Sequence, residues 1–177
     1  MTVGTVDISL SEALSALTGS SVNTQTHTIL FDIRLPRILL AIAVGAVLAS
    51  TGAVMQGLFR NPLADPSLIG VSSGASVGAS LMIVTAGGFI QSGALVGLSL
   101  VAVGAFIGGF AATLLVYRLA TSGIGTSVTT MLLAGIAIAA LAGALNSLLS
   151  YFSDNDMLRQ ISLWQMGNLS GASWTKV

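Results

Sequence analysis

The sequence predicts an all-α fold, a polytopic transmembrane helix bundle of four spanning helices with short interfacial helices beside them. Three observations carry that expectation. Residues 35–59, 68–85, 93–117 and 128–152 are apolar, and their interiors hold no Lys, Arg, Asp or Glu. A helix rises about 1.5 Å per residue, so about 20 apolar residues cross a hydrocarbon core about 30 Å thick. The second stretch, with 18 residues, is the shortest. Hydrophobic residues make up 54% of the chain and charged residues 7%, and mean hydropathy is +0.94, whereas a soluble domain carries about 25% charge. Finally, the connections are short, which makes successive helices antiparallel neighbours.

Residues 1–177 read as one transmembrane domain, with 1–30 a polar surface segment and 153–177 an interfacial one. Within the first segment, Ile8, Leu10, Ala13, Leu14 and Leu17 fall at helical spacing, as in a short helix on the membrane surface. No basic n-region followed by an apolar h-region opens the chain, so no cleavable signal peptide is expected. Pro36 fits the first turn of a helix, where its missing N–H would be unpaired anyway, so the first crossing is expected to begin at Leu35. It ends at Arg60–Ser67, where Pro62 and Pro66 push their predecessors out of helical geometry. Asp65 is placed to cap the next helix, with Pro66 at the first position of that helix. Gly87-Gly88, the cluster 121–126 and Ser153–Asp156 mark the later turns. A short interfacial helix is expected near Leu158–Gly167, with Trp164 and Trp174 at head-group level.

Inside the spans, small residues recur every four positions: Gly70, Gly74 and Gly78; Gly104 and Gly108; Gly135, Ala139 and Gly143. Lipid gives helices no hydrophobic reason to associate, so close backbone approach along such stripes supplies van der Waals contact instead. These glycines are therefore expected to pack helices. Gln56, Thr113, Asn146 and the serines at 72, 73, 76 and 80 either line a pathway or hydrogen-bond a neighbour. For the serines and Thr113 the packing role is the better expectation.

Charge and motif content exclude several functions. Six basic and six acidic residues give zero net charge, which suggests neither a nucleic-acid surface nor a site for acidic substrates. Without cysteine there is no disulfide or thiolate metal site, and His27 alone makes no ligand set. No cofactor is expected in this chain. No G-x-x-x-x-G-K-[ST] loop occurs and the single lysine is Lys176, so the chain is not expected to hydrolyse ATP or to be an enzyme. Gly70–Gly74 matches the G-x-S-x-G nucleophile elbow, which would make Ser72 the nucleophile of an intramembrane serine protease. That chemistry needs a base beside the serine, and no acidic residue lies within the spans. No carboxylate chain is available for proton coupling, so energy for any transport must come from another subunit.

One resemblance is long and specific. Residues 34–37, Arg-Leu-Pro-Arg, then Gly52 to Ala75, Leu132–Gly135 and Leu163–Trp174 resemble the FecCD family of ABC-importer permeases. The resemblance implies inward transport of an iron complex, siderophore or haem, with cobalamin as the alternative. It implies alternating access driven by ATP hydrolysis in a partner cytoplasmic ATPase. It also implies a homodimer or paralogous pair of permease subunits around a central path, a periplasmic substrate-binding protein, and a multi-pass location among the lipids of the bacterial inner membrane. Family members have ten helices per subunit, so this chain is expected to lack the first helix and everything from the sixth onward. Asn168 stands where the family usually shows serine.

Carried over by position, the resemblance places Arg34 and Arg37 on the periplasmic face, docking the binding protein's glutamates. A guanidinium suits that task because its rigid fork of donors matches a carboxylate and stays charged. Ser127, Val128 and Thr129 match the region that gates the cytoplasmic end of the path, and Asn146 is the candidate for lining it. Charge counting points the other way: this topology puts Arg34, Arg37, Arg159 and Lys176 outside and only Arg60 and Arg118 inside, against the usual basic bias of cytoplasmic loops.

Overall fold

The computed structural model describes residues 8–9, 11, 15–16, 23–86, 95–123, 125–169 and 171–174. Contacts divide the chain into two units, Met1–Ser50 with Asn168–Val177, and Thr51–Gly167. Most of the expected surface helix at 8–17 and the Gly87-Gly88 turn lie outside the described residues.

The first unit is built on a helical run that starts upstream of Pro36. Helix α1, Thr24–His27, is capped by the Asn23 side chain, which accepts from the Gln25 amide. It passes into a π-helical turn, Thr28–Arg34, and then into α2, Leu35–Phe59. The α-helix itself starts at Leu35, where the sequence places the start of the first crossing, and the helical run continues upstream of it to Thr24. Proline inside an α-helix clashes with the carbonyl four residues back and removes a donor; the wider π turn ahead of Pro36 accommodates both effects. Ile8 and Leu30 form a small buried cluster with Ala16, Ile29 and Phe31 packed on it, and the His27 and Phe31 rings stack at 4.6 Å.

The second unit holds the end of α2 and the bundle. Arg60 closes α2 in a left-handed conformation, φ 50°, with the Asn61 amide donating to the Gln56 carbonyl and that of Arg60 to Gly57. This is the Schellman arrangement, with arginine where glycine is usual. The Asp65 carboxylate accepts from the Ser67 amide at 2.7 Å and caps a 3₁₀ turn, Pro66–Ile69. Gly70 breaks that turn at φ 77°, and α3 runs from Val71 to Thr85. The expected crossing at 68–85 is thus a 15-residue helix preceded by a separate turn. Helix α4 covers Leu95–Ala120, in place of the expected 93–117. A two-residue antiparallel ladder, Thr121–Ser122 (β1) with Gly125–Thr126 (β2), departs from the all-α expectation. The ladder joins α4 to α5, Val128–Tyr151, which Ser127 caps. Helix α6, Asn155–Met166, is capped by Asp154 and replaces the shorter helix expected at 158–167.

Among the described residues three helices are long and apolar enough to cross a membrane: Thr24–Phe59, Leu100–Ala120 and Val128–Tyr151. Val71–Thr85 is apolar and shorter. The fold is mostly helical.

The second unit is organised by backbone contact between α3 and α4. A Cβ placed on Gly74 would collide with Ala112 and the Gly108 carbonyl oxygen, and one on Gly78 would lie 2.8 Å from the Gly104 carbonyl carbon. Gly74 thus faces Gly108, and Gly78 faces Gly104. As the number rises along one helix it falls along the other, so the two are antiparallel. A Cβ on Gly135 of α5 would collide with the Leu68 carbonyl oxygen and lie 3.3 Å from the Ile69 Cα, and one on Gly70 would sit 3.3 Å from Ile138. Side-chain clusters flank these seams: Ala79, Ile83, Val101 and Ile161 at one place, Val116, Ala120 and Met131 at another.

Candidate functional site

Chemistry-bearing groups gather at two places, one in each unit. In the second unit, α3, α5 and the end of α6 border an open cleft of about 530 Å³, lined by Ser72, Ser73, Ser76, Ala139, Ala142, Gly143, Asn146, Ser147, Ser150 and Gln165. Ser76 is its centre: the Asn146 side-chain amide donates to Ser76 Oγ at 3.1 Å, and that of Gln165 donates to the same oxygen at 3.3 Å. The Asn146 Oδ1 is buried and has no hydrogen-bond partner. Exchanging the amide's oxygen and nitrogen would leave the nitrogen unpartnered there instead. A buried amide oxygen left without a donor costs about 1–3 kcal/mol.

No side chain lining the cleft is charged. Hydroxyls and amides offer both donors and acceptors without a titrating group, so the surface can solvate a passing polar molecule without holding it as an ion pair would. Among the described residues no group of three or more His, Cys, Asp or Glu is placed to hold a metal ion.

Other polar candidates fall elsewhere. Thr113 Oγ1 donates to its own helix at Gly109, 2.8 Å away, and Gln56 is exposed on α2. Ser72 is the second residue of α3 and exposed; among the described residues no strand precedes it, as a nucleophile elbow requires. Gly143 meets nothing within 4 Å and forms part of the cleft wall.

At the start of α5, Ser127 Oγ accepts from the Thr130 amide at 3.3 Å and bonds the Thr130 hydroxyl at 3.1 Å. Val128 and Thr129 project beside it and are exposed. The β1–β2 ladder holds this turn, with the Ser127 amide donating to Ala120 and the Thr121 and Thr126 hydroxyls 3.0 Å apart.

In the first unit, Arg34 ends the π turn and Arg37 follows Pro36 on α2; both are half-buried. The indole N–H of Trp174 donates to the Phe31 carbonyl of that turn at 2.9 Å. Sequence reasoning misses Gln165, Ser147, Ser150 and the Trp174 bond. Ser147 and Ser150 sit one and four positions from Asn146, and the second of these spacings marks one helical face. Nothing local marks Gln165, because its partner is 89 positions away.

The FecCD transport family matches residues 1–177. The chain is 47% identical over 166 residues to the hemin transport system permease protein HmuU of Yersinia pestis, covering 94% of this chain and 48% of that one. It is 44% identical over 151 residues to the cobalamin import system permease protein BtuC of Halobacterium salinarum, covering 85% and 38%. A vitamin B12 import permease of Salmonella newport is 40% identical over 156 residues, covering 88% and 45%. Among solved structures, a metal-chelate type ABC transporter in an inward-facing conformation superposes with a TM-score of 0.76 at 34% identity, over 99% of this chain and 50% of that one. The chain therefore spans about half the length of the relatives it matches. With its long apolar helices, this places it as a multi-pass protein of the inner membrane. On the match over its whole length and the identity to these permeases, the chain belongs to the FecCD transport family.

Proposed function

We propose that this chain forms about half of the permease subunit of a binding-protein-dependent ABC importer for an iron complex, haem or a siderophore. Movement follows alternating access, with ATP hydrolysed by a partner cytoplasmic ATPase and no enzymatic step in this chain. Its other partners are a second permease subunit, identical or paralogous, and a periplasmic substrate-binding protein. The observation that carries the reading is the uncharged polar cleft around Ser76 and Asn146 in an otherwise apolar bundle. The name of the hemin permease, 47% identical over 94% of this chain, supports it.

In this reading Asn146 lines the path, Ser127, Val128 and Thr129 narrow its cytoplasmic end, and Arg34 and Arg37 dock the binding protein. The paired glycines hold the rods that carry these groups. Residues 1–177 form a single transmembrane domain with four crossings, the second made by Pro66–Ile69 together with α3; the antiparallel seam with the long α4 supports that count.

A cobalamin importer is the second reading, favoured by the two B12 and cobalamin permeases at 40% and 44% identity. Uptake by proteoliposomes holding the full-length permease, its ATPase and its binding protein separates them. ATP-dependent uptake of haem or a ferric siderophore, unaffected by excess cobalamin, is expected. Uptake of cobalamin alone would select the second reading, and ATP-independent cleavage of a membrane substrate lost in Ser72→Ala would select a protease.

A further inference from the structure

Pro36 lies inside a continuous helical run and so removes a donor that the run would use. In an α-helical register the Leu35 amide would reach the Phe31 carbonyl; in a π register the amide of residue 36 would. Leu35 instead donates to Leu30, and proline has no N–H. The Phe31 carbonyl has thus lost both of its helical donors. The Trp174 indole N–H stands 2.9 Å from that oxygen, delivered from 143 positions along the chain. Arg34 and Arg37 flank Pro36 within two residues.

We propose that Trp174 is a positioning residue for the Arg34 and Arg37 surface: its indole supplies the donor that Pro36 removes and so holds the π turn that ends at Arg34. A turn without that donor either hydrates its carbonyl or rewinds towards the α register, with Leu35 returning to Phe31. Rewinding turns Arg34 about the helix axis relative to Arg37. The consequence for docking rests on the importer reading above, whereas the hydrogen-bond replacement does not.

Proline and indole form a compensating pair, and that gives the test its logic. In the full-length protein, Trp174→Phe keeps the ring and loses the N–H, whereas Pro36→Ala restores a backbone N–H at position 36. We expect Trp174→Phe to raise amide hydrogen exchange over residues 31–37 about two- to tenfold, the factor for a hydrogen bond of ordinary net strength. The alkylation rate of an Arg34→Cys reporter should move with it. Adding Pro36→Ala to Trp174→Phe should return amide exchange over residues 31–37 to the parent value, and Trp164→Phe should change neither readout. Unchanged exchange in Trp174→Phe, or no rescue by Pro36→Ala, would overturn the proposal. Should Trp174→Phe fail to fold, the double variant is expected to fold and exchange like Pro36→Ala alone, and its failure to do so would also overturn it. Binding of the importer's substrate-binding protein to the same variants separates the two readings. If exchange follows the pattern and binding does not, the strap stands and the docking role of the arginines fails.

Discussion

At Gly78 the backbone of α3 lies against the backbone of α4, and no side chain larger than hydrogen fits without moving one helix. Gly78→Ala is expected to destabilise the bundle by about 1–3 kcal/mol, the usual cost of overpacking a fitted contact. Gly143→Ala provides the contrast: open space surrounds that position, and alanine is favoured over glycine in a helix by about 0.8–1 kcal/mol. Thermal unfolding in detergent should therefore lower the midpoint for the first variant and leave it equal or higher for the second. Asp65 makes a pH prediction at the same scale. Its hydrogen bonds with Ser67 hold the carboxyl below its ordinary value of 3.8. A lowered folded-state pKa contributes stability that is present above the unfolded value and lost as pH falls through the folded one. Protection of the amides at 67–70, taken relative to their intrinsic exchange rates, should thus fall as pH drops below 3.8 in the parent protein. Asp65→Asn, which can still cap but does not titrate there, should remove that acid-dependent step.

Among the elements, α6 is expected as a short interfacial helix, and the structure forms it as a 12-residue helix with contacts that the sequence does not show. Its mixture of polar and apolar residues reads as interfacial, and the structure buries one position, Ile161, against Ala79, Ile83 and Val101. Ile161→Ala is expected to cost about 2–5 kcal/mol of that attachment, the range for truncating a buried isoleucine. Limited proteolysis between Ser153 and Gly167 should quicken accordingly. Helix existence is legible in α2, α4 and α5, because long apolar runs with charge-free interiors admit one solution in lipid, where every backbone group must be satisfied within its own segment. Their ends are less legible. Pro36 does mark the first turn of an α-helix, but the helical run continues upstream of it because a π turn and a distant indole absorb the proline's missing donor. The short second crossing is visible as the shortest apolar run, but Gly70 splitting it into a 3₁₀ turn and α3 depends on Gly135 and Ile138 pressing against that turn. As for the cleft, Asn146 stands out as a lone amide in an apolar helix, whereas Gln165 joins it only through long-range packing.

For the whole molecule, the open quantity is the number of crossings, since three helices have the length to span and α3 has 15 residues. The glycine seam bears on it directly: α3 runs antiparallel along α4, from Gly74 opposite Gly108 to Gly78 opposite Gly104. In the proposed reading α3, pressed backbone to backbone on its membrane-long neighbour, makes the second crossing, with the turn Pro66–Ile69 extending its reach. Four crossings put position 33 and position 122 on opposite sides of the bilayer; three put them on the same side. The most direct measurement is labelling of single cysteines at Ile33 and Ser122 in the full-length protein, in intact cells, with a membrane-impermeant maleimide. With four crossings the cysteine at 33 reacts from outside and the one at 122 reacts only after the membrane is opened. Reaction of both from outside, or of 122 alone, would rule that arrangement out.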